Sequence, residues 1–210
     1  MLWGIEMRVE FQAFGTFYKR NDYIYRKEAY LQFGDSSKSI GSTIMLNPGE
    51  AEFLNKSVVI GEKDVTGELK PDKTMKQLVN ILQHSSSIPL NGRFHIYNLF
   101  SLQNTSSKDA VKQKEWLQAA HLNNAEIMNQ FQKENHPWVL LAWSTEKNKN
   151  LEKLREAWLT LIKTMDIKVF GVRANGKQQF YHPNPRIMNY RERYFQQIVE
   201  QLKNDENIVV

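Results

Sequence analysis

The chain has no cysteine. Disulfides and thiolate-bound metals are therefore excluded, and a reducing, cytoplasmic setting is expected. No window approaches the roughly 18 continuous apolar residues of a membrane span, so no membrane partner is expected. The opening MLWGIEMRVE lacks a basic stretch followed by an apolar one, and no secretory signal is read there. G-x-G-x-x-G, G-x-x-x-x-G-K-[ST], H-E-x-x-H and G-x-S-x-G are all missing, which disfavours P-loop nucleotide hydrolysis and zinc hydrolysis. His84, His95, His121, His136 and His182 show no metal-ligand spacing. Neither a metal nor a cofactor is expected. No internal repeat or low-complexity tract interrupts the chain.

With 210 residues and 41% hydrophobic content, the chain can build one real core. A single α/β domain over 1–210 is expected, with an N-terminal β extension over 1–40 and an α/β core over 43–203. The net charge of +5 biases the surface toward anionic partners, DNA or a nucleotide among them. Charge alone says nothing about fold.

Residues 5–33 alternate and are rich in aromatics, the pattern of two or three short strands. GDSSKSIGS at 34–42 reads as a loop, and STIML then forms a buried-looking strand. Residues 54–70 show no clear period and read as an excursion. Asp72 or Thr74 caps a helix whose Met75, Leu78, Val79 and Leu82 share one face. FHIYNLFSL (94–102) is a strand. Residues 106–135 are helical in pattern, with a break expected near Leu122-Asn123-Asn124. WVLLAW is a strand, 150–165 an amphipathic helix and IKVFGV a strand. Asn175-Gly176 carries a hairpin signal, and RERYFQQIVEQLKND closes with a helix.

This alternation predicts a mainly parallel open sheet covered by helices, with an antiparallel strand pair at one edge. In such sheets ligands bind beyond the carboxyl ends of the strands. Four polar breaks stand there: Asn47-Pro48-Gly49-Glu50, Asn98, Trp143-Ser144-Thr145, and His182-Pro183-Asn184-Pro185. Pro48 stops the strand, and Gly49 lets a ligand approach the backbone. Asn47 leaves an amide at the strand mouth. Two prolines hold His182 on a rigid loop, which suits a positioned donor or general acid/base. Each break taken alone also fits an ordinary turn. Trp143 and the N-terminal aromatics can stack on bases, although such side chains usually serve the core.

In order, IMLNPGEAE, PDKT-MKQLVNIL, HIYNLFSLQNT, WVLLAWST and YHPNP resemble the domain-of-unknown-function family numbered 1643. The resemblance spans about residues 23 to 187 and includes Tyr25-Arg26-Lys27. The chain departs from that family at Gly49, where Ser is usual, and at Ser144, where Gly is usual. More faintly, IMLNPG, IYNLF, LLAWS and HPNP resemble four motifs of the uracil-DNA glycosylase superfamily. That likeness implies a three-layer α/β/α fold and hydrolysis of an N-glycosidic bond on an extruded base. It implies that Asn47 holds the attacking water and that Asn98 reads the base edge. It further implies that His182 bonds a base carbonyl and that Phe53 stacks on the base. Asn184 and Arg186 stand where that superfamily has small serines that grip a phosphate. With Pro48, Gly49 and Trp143 these residues complete the expected site.

Two functions follow from the same residues: an N-glycosyl hydrolase, or a non-catalytic module that binds a nucleotide, nucleic acid or small metabolite. The residues do not choose between them.

Overall fold

The computed structural model describes residues 10–104, 115–176 and 178–205. Eight strands form one sheet: β1 (Phe11–Arg20), β2 (Tyr23–Phe33), β3 (Ser39–Met45), β4 (Glu52–Phe53), β5 (Val65–Lys70), β6 (Gly92–Asn98), β7 (Trp138–Ala142) and β8 (Lys168–Phe170). Among the described residues four helices accompany them: α1 (Lys73–Ser85), α2 (Glu115–Lys133), α3 (Lys149–Thr164) and α4 (Met188–Lys203). The strand order is β4-β5-β1-β2-β6-β3-β7-β8.

The sheet is mixed, which corrects the expectation of a mainly parallel one. The pairings β6–β3, β3–β7 and β7–β8 are parallel. Those of β1 with β2 and β5, of β2 with β6 and of β4 with β5 are antiparallel. Nor is the N-terminal pair an edge. β1 and β2 lie inside the sheet because the 54–70 excursion returns as β5 and pairs along β1. Only Leu69 of β5 is buried, so the strand shows no apolar period in the sequence.

β3 also starts earlier than its composition implied. Ser42 and Thr43 are fully buried there, and their hydroxyls donate to the Trp138 and Leu140 carbonyls. A β-carbon on Gly41 would lie 2.4 Å from the Trp138 ring, so the small residues that looked like a loop admit a tryptophan. α2 runs unbroken through Leu122-Asn123-Asn124, against the expected break. The starts of the first expected strand and of the 106–135 helix lie outside the described residues.

Alternation along the strands serves two faces. Leu31, Phe33, Phe94, Ile96, Leu140 and Ala142 pack against α1 and α4. Tyr25, Ile44, Tyr97, Val139 and Leu141 pack against α2 and α3. The result is a helix–sheet–helix sandwich. β3 leads into the α1 face, whereas β7 leads through Asn148, the cap of α3, into the opposite face. Their carboxyl ends therefore diverge, the arrangement that opens a crevice in α/β sheets. Among the described residues, no helix is long and apolar enough to cross a membrane.

Candidate functional site

Beyond Met45 the chain turns at Asn47-Pro48-Gly49, and a second segment clasps that turn. Leu99 and Phe100 donate to the Met45 and Leu46 carbonyls, and Asn104 donates to that of Pro48. The Gln103 amide spans Gly49 O and Ala51 O at 3.0 and 2.9 Å. The Asn47 amide donates to Pro48 O at 2.9 Å and Asn104 O at 2.8 Å. Its N–H groups thus hold the turn closed.

Against this turn four polar side chains gather on the α1 face: Arg26, Asp72, Asn98 and His182. Asn98 ends β6, two residues after inward-facing Ile96, and is 5% exposed. Arg26 reaches it through an irregularity in β2. Thr16 pairs with Glu28 but Phe17 pairs with Arg26, so Lys27 bulges out. A bulge reverses the side-chain alternation beyond it. Arg26 thereby turns to the α1 face and Tyr25 to the other. Arg26 is 3% exposed and donates from Nη2 to Asn98 Oδ1 at 3.0 Å. Asn98 Nδ2 is buried and has no hydrogen-bond partner.

Asp72 supplies the carboxylate. Its Oδ1 caps α1 by accepting from Met75 N at 2.8 Å. Its Oδ2 lies 2.8 Å from where a β-carbon on Gly49 would stand. The absence of a side chain at Gly49 therefore lets the turn and the helix cap touch. Burial pulls the Arg26 guanidinium down to about 10, and the Asp72 charge opposes that pull. At neutral pH Arg26 remains a cation.

His182 feels the same carboxylate. Burial lowers its imidazole below the ordinary range, while Asp72 works against the fall. The Asn184 backbone N–H donates to His182 Nδ1 at 3.2 Å. That nitrogen must then accept, so the neutral ring carries its proton on Nε2.

The other expected site residues are placed differently. Pro48 is buried in the turn. Phe53 is a core side chain, 6% exposed, edge-on to Phe17 at 5.2 Å. Trp143 is fully buried, edge-on to Phe180, and its indole N–H donates to Gln178 O at 2.8 Å. Neither ring is exposed to stack on a base. Asn184 acts through its backbone, and Arg186 is exposed.

Arg26 and Asp72 were legible only as an element of the family resemblance and as a helix cap. An arginine amid strand aromatics, and a Pro-Asp pair directly after the 54–70 excursion, were the signals available. Tyr181, next to His182 in the chain, is 46% exposed. An open hollow of about 480 Å³ between 171–173 and α4 is lined by none of the four cluster residues.

A second buried polar group occupies the α2 face. His136 Nδ1 lies 2.7 Å from Ser39 Oγ, and its Nε2 lies 2.9 Å from Tyr97 OH. His95 lies near both, tilted to His136 at a centroid distance of 5.1 Å and stacked on Tyr97 at 6.1 Å. Its Nε2 is 3.6 Å from the Glu134 carboxylate. Burial lowers His95 to about 4 and His136 to about 3, and it raises the Tyr97 phenol. Among the described residues, no three histidines or carboxylates group to hold a metal ion.

No curated protein matches the chain, and no solved structure does. A family described as "Protein of unknown function (DUF1643)" matches residues 30–184. Asp72, Asn98 and His182 fall inside that span, and Arg26 lies just before it. The match covers well over half of the 210 residues, and the chain belongs to the DUF1643 family.

Proposed function

We propose that the carboxyl edge of β3 and β6 binds a nucleobase, free or within a nucleotide or nucleic acid. One observation carries this: Asn98 is buried with its Nδ2 donor unpartnered. A buried donor without a partner costs about 1–3 kcal/mol, a cost that a ligand acceptor would remove. His182, held as the Nε2–H tautomer, supplies a second donor in the same cluster. Base edges are read by such fixed amides and imidazoles. The order of the four strand-end motifs, similar to that in the uracil-DNA glycosylase superfamily, supports the same reading. The net charge of +5 suits a phosphate-bearing ligand.

A second reading, hydrolysis of an N-glycosidic bond, is favoured by Asp72. It is the carboxylate whose charge reaches both His182 and Arg26. In that reaction Asp72 orients or deprotonates a water, and His182 donates to the departing base. Asn47 then serves the turn and not the water.

Titrating the chain with uracil, hypoxanthine, cytosine and adenine, and with their nucleosides, tests the binding proposal. Saturable binding that Asn98→Ala abolishes is expected. Binding that survives in Asn98→Ala places the ligand elsewhere. Incubation with uracil- and hypoxanthine-containing duplexes tests the second reading. Abasic sites that disappear in Asp72→Asn support hydrolysis, and binding without abasic product leaves a binding module.

A further inference from the structure

Asn98 can show a ligand either its carbonyl oxygen or its NH₂, and the choice decides what it recognises. The chain makes that choice through Arg26. A guanidinium carries five donors and no acceptor. The amide oxygen of Asn98 therefore has to be the atom that faces Arg26 Nη2 at 3.0 Å. Turned over, the amide would oppose its NH₂ to a buried cation. Arg26 is itself fixed. The bulge at Lys27 aims it, its backbone N–H donates to Ser101 O at 2.9 Å, and burial at 3% exposure leaves it little room.

We propose that Arg26 is a specificity-determining residue: by holding the Asn98 oxygen toward itself it turns the NH₂ to the ligand. The site then takes bases with a carbonyl oxygen at that point and rejects those with an amino group there. The inference rests on the base-binding proposal above. Arg26 is a positioning residue, acting through Asn98 and not on the ligand.

Two pairs of bases test the contact. Uracil and cytosine differ at one exocyclic position, carbonyl against amino, with the ring nitrogen beside it changing from N–H to bare, and so do hypoxanthine and adenine. The full chain should bind the carbonyl member of each pair at least about tenfold more tightly, because the amino member sets donor against donor. Arg26→Gln can accept as well as donate, so Asn98 becomes free to turn and each ratio should fall toward one. Arg26→Lys, which only donates, should keep the preference.

Equal binding of the two members by the wild-type chain, or an undiminished ratio in Arg26→Gln, would overturn the inference and leave the base-binding proposal standing. Binding of none of the four bases would end both. Should Arg26→Gln fail to fold, the Asn98 side-chain amide of the wild type decides by NMR. Nuclear Overhauser contacts from its NH₂ to the guanidinium protons would mean the opposite orientation and sink the idea. Their absence, with the ratios above, sustains it.

Discussion

The two buried polar groups lie on opposite faces of β2 and β6 and differ in charge. On the α2 face His136 spends both ring nitrogens within the chain, on Ser39 and Tyr97. Its members are neutral: two imidazoles held far below their ordinary range and a phenol held above its own. On the α1 face the members are charged, Arg26 with Asp72, and one donor of Asn98 is left over. Each group leaves buried nitrogen without a hydrogen-bond partner, the His95 ring on the α2 face and Asn98 Nδ2 on the α1 face. What separates them is charge: only on the α1 face does the open donor stand beside a cation and a carboxylate, which have something to offer a polar ligand. The contrast locates the site better than burial does, since both groups are buried.

The largest expected effect comes from acid, and it should strike the neutral group. His95 and His136 have folded-state values of about 4 and about 3, below the ordinary 6.5. A depressed imidazole means that the unfolded chain takes up protons first. Stability from these residues is therefore complete above about pH 6.5 and declines as pH falls toward 4. Urea midpoints measured from pH 7 to 4.5 should fall steadily over that window. His136→Gln, which does not titrate, should start less stable and fall less steeply. A wild-type midpoint that stays flat between pH 6.5 and 4.5 would mean the imidazoles are not buried neutral.

The next effect sharpens the division of labour. Tyr97→Phe removes the hydroxyl at His136 Nε2 and leaves a buried ring nitrogen unpartnered. Denaturant unfolding should show a loss of about 1–3 kcal/mol. Base binding should be unchanged, because Tyr97 faces α2 and the site faces α1. A variant that folds normally but no longer binds would show that the two groups are coupled through β6.

What the sequence made legible was local. The α1 helix announces itself through Asp72 and the spacing of Met75, Leu78, Val79 and Leu82, all within four turns. The strand-end breaks at Asn47, Asn98 and His182 are likewise visible as apolar runs that stop. The rest is pairing between distant segments. Nothing near Val65 says that it will lie against Phe17, and nothing near Arg26 says that Lys27 will bulge. The bulge alone decides which face Arg26 serves, so the partner of Asn98, 72 residues away, is invisible before the register is known. Phe53 and Trp143 show the converse. Their residue type admits stacking, but packing against Phe17 and Phe180 assigns them to the core.

Within the charged group, the contact between turn and helix cap is the next to test. Gly49→Ala brings a β-carbon against Asp72 Oδ2 at 2.8 Å, and Oδ1 is tied to Met75 N. The carboxylate must shift, so the cap weakens by about 1 kcal/mol. Thermal unfolding should register that loss, and base affinity should fall with it. Full affinity in a folded Gly49→Ala would detach the turn from the site.

The smallest effect is the most discriminating. Asp72→Asn keeps an oxygen to cap α1, so the fold should lose only a few tenths of a kcal/mol to about 1 kcal/mol. What it removes is charge. Asp72 props up the His182 imidazole against burial, so without it His182 should protonate at a still lower pH. Histidine ring resonances followed through a pH titration would read this directly. His95 and His136, whose shifts arise from burial and from Arg93 and His95, should not move. A His182 value that rises or stays fixed in Asp72→Asn would remove the carboxylate from the site. It would leave Asn98 and Arg26 as the only pair through which the α1 face could choose a ligand.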